Sequence, residues 1–126
     1  MKIHESGENY LESILVIKQR QEFVRSIDIA KEMGFSKASV SRAVNKLKDN
    51  GYITIDENGI LDFTEQGLDL ATRIYDRHRF FTDFLIYLGV DKNVAAEDAC
   101  KIEHVLSPES YQAMKKYLLK AKNKNI

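Results

Sequence analysis

The stretch Ser26–Gly51, SIDIAKEMGFSKASVSRAVNKLKDNG, predicts two short helices joined by a tight turn. Ser26 is predicted to cap the first helix, and Gly34 to end it in the left-handed conformation that glycine tolerates. Ser36 is predicted to cap the second helix, which ends at Gly51. A helix, a turn containing glycine and a second helix form the helix-turn-helix pattern.

The second predicted helix has one apolar and one polar face. Val40, Val44 and Leu47 recur at steps of four and three, so they are expected to face inward. Helical geometry then turns a small, polar and basic face outward, which comprises Ala38, Ser41, Arg42 and Asn45. Such a face suits the major groove of DNA. A helical hairpin with a solvated face is the alternative that this motif alone leaves open.

A predicted β-hairpin follows directly and favours DNA binding. The β-rich runs 52–55 and 60–63 flank Asp56-Glu57-Asn58-Gly59, and Asn-Gly between two such runs is a strong hairpin signal. Together with the two helices, the hairpin predicts a winged helix. Residues 36–50 carry four basic side chains against one acid, whereas residues 56–69 carry five acids and no base. We therefore expect the second helix to contact DNA more than the wing does, with strongly salt-dependent affinity.

Composition limits the remaining possibilities. The chain has 126 residues, 44% of them apolar, which bounds it to one or two small domains with a real core. No apolar run approaches the roughly 20 residues of a membrane span, and the charged N-terminus does not look like a signal peptide. The single cysteine cannot form an internal disulfide, which fits a reducing cytoplasm. We expect a cytoplasmic protein without a membrane partner.

A long helix is predicted after the wing, from a cap at Thr64 to about Leu88, with Gly89 ending it. One histidine interrupts its apolar stripe, which comprises Ala71, Ile74, His78, Phe81, Leu85 and Leu88. A lone histidine on such a stripe is more often a core residue than a ligand, and the stripe leaves both interpretations open.

Three ligand-type side chains then occur together on a predicted helix that Asp91 caps and that runs from about Lys92 to Leu106. Cys100, Glu103 and His104 are spaced i, i+3 and i+4, so they should point to one location. A thiolate, a carboxylate and an imidazole suit a divalent transition metal and do not suit calcium or magnesium. The alternative is a surface Glu–His pair beside a buried, inert cysteine.

A last helix is predicted after Ser107, with Pro108 at its first position. Its apolar side, Tyr111, Met114, Tyr117 and Leu118, either packs within the subunit or forms a dimer contact. Because helix-turn-helix proteins commonly bind two half-sites with two-fold symmetry, we expect a homodimer on a palindromic double-stranded DNA operator.

The segment Cys100–Ser107, CKIEHVLS, resembles the diphtheria-toxin-repressor and manganese-transport-regulator (DtxR/MntR) family of metal-dependent transcriptional repressors. The resemblance runs nearly end to end and also includes Glu8–Leu11, Asp28–Ala30, Ser39–Ser41, Thr64–Gly67, Arg77–Arg79 and Glu97–Cys100. It implies a mainly α fold, with a winged helix-turn-helix DNA-binding domain (residues 1–63) and an all-helical metal-binding and dimerisation domain (residues 64–126). It also implies that the protein is not an enzyme.

The resemblance further implies a ligand set and a DNA-contacting set. The implied metal ligands are Asn9, Glu12, His78, Cys100, Glu103 and His104, where Cys100 matches iron-type members and Glu12 manganese-type members. Iron(II) is favoured and manganese(II) is next, with zinc, cobalt or nickel as surrogates. The predicted DNA-contacting residues are Arg25, Ser36, Lys37, Ala38, Ser39, Ser41, Arg42 and Lys46. Three alternatives remain: a winged-helix regulator that senses redox state or a small ligand through Cys100, a small hydrolase site, and a winged helix used for protein contacts.

Overall fold

The structure is a computed structural model that describes residues 5–124, with side chains described from residue 6 to residue 121. This part of the chain is mainly helical, as predicted. Its elements are α1 (Glu5–Lys18), α2 (Ser26–Met33), α3 (Lys37–Asp49), β1 (Ile53–Ile55), β2 (Leu61–Phe63), α4 (Glu65–Tyr87), α5 (Lys92–Ile102) and α6 (Pro108–Lys124). Among these helices, none combines the length and apolarity needed to cross a lipid bilayer.

The chain forms two compact units, Met1–Ile74 and Tyr75–Ile126, so α4 contributes to both. The predicted domains, 1–63 and 64–126, extend beyond the described residues at both ends, and their boundary stays a prediction.

The helix-turn-helix lies in the N-terminal unit as predicted. Gly34 ends α2 with a φ of 71°. The Ser36 hydroxyl caps α3 by accepting the Ser39 backbone N–H at 3.1 Å. The predicted inward face of α3 is buried, and it comprises Val40, Val44 and Leu47. It joins the apolar core that α1, α2, α3 and the wing share.

The predicted cap of α2 is wrong by one residue. Arg25 is the N-cap, and its backbone N–H donates to the Asp28 carboxylate at 2.9 Å. The Asp28 carboxylate accepts the N–H of the N-cap residue from the first turn, as in a capping box. Ser26 is therefore not the cap but the first residue of the helix.

The wing is an antiparallel hairpin that pairs Ile53 with Phe63 and Ile55 with Leu61. Its turn depends on Asp56, whose Oδ1 accepts the backbone N–H groups of Asn58 and Ile60 at 2.8 and 2.9 Å. Such side-chain acceptance is the usual way in which aspartate stabilises a turn.

One close approach joins the wing to the start of α4. Thr64 caps α4 as predicted, since its Oγ1 accepts the Gly67 backbone N–H at 3.1 Å and donates to the Gly51 carbonyl at 2.6 Å. A Cβ on Gly67 would stand 1.7 Å from the carbonyl oxygen of Tyr52. The first turn of α4 therefore requires glycine at this position.

The C-terminal unit has a smaller apolar core, in which Phe81, Ala99 and Tyr111 are buried. Two details of the predicted helices are wrong. α4 ends at Tyr87, and Leu88, which belongs to the predicted apolar stripe, is 60% exposed. α5 ends at Ile102 instead of Leu106, and Glu103 is its C-cap. The prediction for α6 left two packings of its apolar side open, and Tyr117 on that side is 73% exposed.

Candidate metal centre

The sequence-predicted ligands Cys100, Glu103 and His104 lie together in the C-terminal unit. One ligand atom from each side chain lies within 4.8 Å of the corresponding atoms of the other two. Cys100 is in the last turn of α5, and Glu103 follows the end of the helix with αR backbone angles. The i, i+3, i+4 spacing still brings the three side chains together, because the chain continues in a helix-like turn past Ile102.

Two imidazoles contact the Glu103 carboxylate, one at each oxygen. His78 Nδ1 lies 3.1 Å from Oε2, and His104 Nε2 lies 3.3 Å from Oε1. His78 reaches Glu103 from the α4 stripe on which the sequence left its role open. Its side chain is 27% exposed, so it is neither a fully buried core residue nor a free surface group.

The side chains of Glu103 and His104 are buried, which excludes the alternative of a surface Glu–His pair. The exposed fraction is zero for the Glu103 side chain and 2% for that of His104. Burial of a carboxylate is costly unless hydrogen bonds, opposite charges or a metal compensate it. A buried carboxylate with two imidazoles and a thiolate nearby is a donor set that fits a divalent transition metal.

The other two predicted ligands lie on α1 in the N-terminal unit. Asn9 and Glu12 are both half-buried and are three residues apart, so they share one side of the helix. Their assignment as ligands stays a prediction.

Sequence reasoning missed one residue of the cluster's surroundings. Arg77 donates hydrogen bonds to the carbonyl oxygens of Glu103 and Leu106, at 3.1 and 3.0 Å. Its position beside His78 was visible in the sequence, but hydrogen bonds to main-chain carbonyls leave no pattern of residue types.

The predicted DNA-contacting residues lie at the start and along the outer face of α3. Six of these residues are exposed: Ser36, Lys37, Ala38, Ser41, Arg42 and Lys46. The seventh, Ser39, is half-buried. Ser39 Oγ accepts from Ser36 Oγ at 2.9 Å and from an Arg42 guanidinium nitrogen at 3.4 Å. These hydrogen bonds order the polar side chains at the N-terminal end of the helix.

Arg25, the remaining predicted DNA contact, precedes α2. It is exposed, and its Nε donates to the carbonyl oxygen of Asn58 at 3.3 Å. The guanidinium thus supports the turn of the acidic wing. Its contact with DNA stays a prediction.

Comparison with known families covers almost the whole chain. Residues 2–59 match the model "Iron dependent repressor, N-terminal DNA binding domain". Residues 64–124 match the model "Iron dependent repressor, metal binding and dimerisation domain". The two matches follow one another in the order that the winged helix and the metal cluster predict.

Individual relatives agree with these matches. An HTH-type transcriptional regulator of Methanocaldococcus jannaschii is 34% identical over 95% of this chain and 98% of its own length. The HTH-type transcriptional regulator MntR of Lysinibacillus sphaericus is 32% identical over 81% of this chain and 73% of its own. The structure of the manganese regulator SloR superposes with a TM-score of 0.79 at 28% identity, covering 94% of this chain and 54% of SloR.

Proposed function

The chain belongs to the DtxR/MntR family of metal-dependent transcriptional repressors, and we propose that Cys100, Glu103 and His104 hold its co-repressor metal. The observation that carries the proposal is the buried Glu103 carboxylate, which lies between two imidazoles and within 4.8 Å of the thiol. Such a group is expensive to bury for structure alone, whereas a bound divalent cation offsets the cost.

We assign His78 as a further ligand, because its Nδ1 lies 3.1 Å from Glu103 Oε2. Asn9 and Glu12 complete the proposed set on the strength of the family resemblance. The thiolate of Cys100 is a soft donor, so iron(II) is the preferred metal, ahead of manganese(II). Zinc, cobalt and nickel ions are expected to act as surrogates.

When bound, the metal supplies positive charge that neutralises the acidic ligands. Cys100 at the end of α5, together with Glu103 and His104 in the turn that follows, holds the ion. The outer face of α3 contacts the operator. If metal binds the DNA-competent form about a hundredfold better than the other form, the coupling is about 2.7 kcal/mol. By reciprocity, DNA then tightens metal binding by the same factor.

The test measures binding of purified protein to a labelled palindromic operator, in chelator and then in iron(II), manganese(II) and zinc(II). We expect metal to stimulate DNA binding by the wild type but not by the His104→Ala or Glu103→Gln variants. Glu97→Gln is the matched control, because Glu97 is an exposed acid on α5, the helix that leads into the turn with Glu103 and His104. A normal response of the His104→Ala variant to iron(II) would contradict the proposal.

The same assay tests the redox alternative. DNA binding that ignores chelator but responds to peroxide would assign sensing to the Cys100 thiol. The family match favours metal. Since the matched relatives are transcriptional regulators, we assign no enzymatic role to Cys100, Glu103 and His104.

We propose that the domain boundary falls between Phe63 and Thr64 and that the protein works in the cytoplasm. Family-model matches that end at residue 59 and resume at residue 64 support this boundary. The single cysteine fits a reducing compartment.

The dimer contact is proposed to lie on α4 and α6. An apolar groove of about 140 Å³ runs between these helices and is lined by Phe80, Asp83, Phe84, Tyr87, Lys115, Leu118, Leu119 and Ala121. Tyr87 and Leu119 are 68% and 56% exposed, and exposed apolar surface of this kind marks an interaction site. A family dimerisation domain covers residues 64–124, which makes a second copy the expected occupant.

Sedimentation of Leu119→Glu tests this contact, since a carboxylate in the groove opposes association. We expect the variant to sediment as a monomer at concentrations where the wild type is a dimer. Gln112→Glu is the control, because it adds the same charge at an exposed position of α6 that does not line the groove. A Leu119→Glu protein that remains dimeric would place the interface elsewhere.

A further inference from the structure

Arg77 holds both ends of the turn that carries Glu103 and His104. It lies on α4, and its Nη1 donates to the carbonyl oxygens of Glu103 and Leu106, at 3.1 and 3.0 Å. Glu103 begins the turn and Leu106 ends it, just before α6 starts at Pro108. One guanidinium therefore restrains the main chain on both sides of His104.

Arg77 adds to the backbone hydrogen bonds of this turn, in which the Ile102 carbonyl oxygen accepts the N–H groups of Val105 and Leu106 at 3.1 and 3.3 Å. The helix ends at Ile102, and the last carbonyls of a helix have no intrahelical donors. A cationic side chain near the C-terminus of a helix satisfies these carbonyls and interacts favourably with the negative end of the helix dipole. Arg77 performs this role from α4 for the carbonyl of Glu103, the C-cap of α5, and also donates to the Leu106 carbonyl beyond the helix.

The guanidinium itself is held in place. Its central carbon lies 5.0 Å from the ring centroid of Tyr111. Tyr111 is buried on α6, and its ring packs against those of Phe80 and Phe81, at 5.5 and 5.9 Å between centroids. Because this aromatic cluster is part of the unit's core, Arg77 transmits the rigidity of the core to the turn.

We propose that Arg77 is a positioning residue for the metal centre, which holds Glu103 and His104 in converging positions before the ion arrives. This inference rests on the proposed function of Cys100, Glu103 and His104 as ligands. His78, the next residue on α4, contacts the Glu103 side chain while Arg77 holds the Glu103 main chain. Adjacent residues of one helix thus position both parts of the same ligand.

The experiment is an anaerobic cobalt(II) titration of the full chain, followed by the thiolate-to-cobalt and ligand-field absorption bands. We expect Arg77→Met to weaken cobalt(II) affinity by about 10–100-fold, the usual effect of losing a group that orients a ligand. Its bands should also shift or weaken, because the donors no longer converge. Arg77→Lys should recover part of the affinity, since it retains the charge and the donors.

Arg79→Met is the matched control. Arg79 is exposed on the same helix and lies over the ring of Tyr75 at 5.8 Å, so the change removes the same charge and a similar ring contact. We expect this variant to bind cobalt(II) within about twofold of the wild type, because Arg79 makes no main-chain hydrogen bonds like those of Arg77 among the described residues.

The outcomes separate the two proposals. If the wild type fails to bind cobalt(II), the metal site itself is wrong. If the wild type binds and folded Arg77→Met shows the same affinity and spectrum, the role of Arg77 is overturned, even if its melting temperature falls. Should the Met variant not fold by circular dichroism, Arg77→Gln decides by the same two measurements.

Discussion

The two compact units bury different kinds of side chain. The N-terminal unit encloses a continuous apolar core in which Leu11, Ile14 and Val40 are fully buried. The C-terminal unit has few fully buried apolar side chains, and it also buries the Glu103 carboxylate. Apolar burial stabilises a fold at about 25 cal/mol per Å², whereas a buried carboxylate must be compensated. The comparison shows that the N-terminal unit buries mainly apolar side chains, while the C-terminal unit combines a smaller apolar core with a buried carboxylate.

Exposed apolar side chains on the C-terminal unit support the same distinction. Tyr87, Leu88, Tyr117 and Leu119 are each more than half exposed. A second copy of the chain would remove these surfaces from water and add the apolar burial that the unit lacks. On the proposed function, the dimer and the metal would be two separate sources of stability for this unit.

The largest effect is expected in the N-terminal unit, from Gly67→Ala. The added Cβ would stand 1.7 Å from the Tyr52 carbonyl oxygen, and main chain cannot move aside cheaply. We expect a loss of about 3 kcal/mol or more in the free energy of unfolding, measured by urea denaturation. Gln66→Ala, at an exposed neighbouring position, should change it by less than about 0.5 kcal/mol. If Gly67→Ala lowered the free energy of unfolding by less than about 1 kcal/mol, the start of α4 would be able to shift away from the Tyr52 carbonyl.

Metal should stabilise the C-terminal unit more than the N-terminal core. At a free concentration of a hundred times its Kd, a metal adds about 2.7 kcal/mol to the stability of the state that binds it. We expect hydrogen exchange to slow most in the turn from Glu103 to Leu106, and least in the segment from Val40 to Leu47. If metal slowed hydrogen exchange equally in both segments, the metal would not act mainly on the C-terminal unit, and the prediction would be wrong.

Arg42→Ala should affect DNA binding and leave metal binding unchanged. The side chain is exposed on the outer face of α3, so its loss should cost about 1–3 kcal/mol of operator affinity. Fluorescence anisotropy with the operator and cobalt(II) titration without DNA measure the two effects separately. If Arg42→Ala weakens metal binding in the absence of DNA, the outer face of α3 is not independent of the metal centre, and the proposed division of roles is wrong.

The smallest effect concerns Asp62 of the wing. A hydrogen bond from Lys18 Nζ, 2.7 Å away, lowers the pKa of the Asp62 carboxyl below its ordinary value of 3.8. Folding therefore favours the ionised form, so its stabilisation is complete above pH 3.8 and is lost as the pH falls through the lowered pKa.

The Asp62→Asn variant measures that contribution. Because the carboxylate is 68% exposed, we expect it to be only about 0.2–1 kcal/mol less stable than the wild type at pH 7. Urea denaturation at pH 7 and at pH 3 should show the difference shrinking in acid. A difference that grows in acid would contradict the ion pair.

Local patterns predicted most of the N-terminal unit. The steps of four and three in Val40, Val44 and Leu47 predicted the buried face of α3, and Asn-Gly predicted the hairpin. The cap of α2 was misplaced because Arg25 is not a typical N-cap residue, and the acceptor comes from Asp28. Helix ends depend on such competing local hydrogen bonds, which residue preferences describe only on average.

What the sequence determined by itself is the set of neighbours along the chain. It determined the order of elements, the inward stripes and the grouping of Cys100 with Glu103 and His104, because helical periodicity acts over four residues. The tertiary structure decided which distant groups meet: His78 with the Glu103 carboxylate, and Arg77 with the carbonyls of the following turn. Those contacts cross 25 or more residues, and only the packing of whole helices brings such positions together.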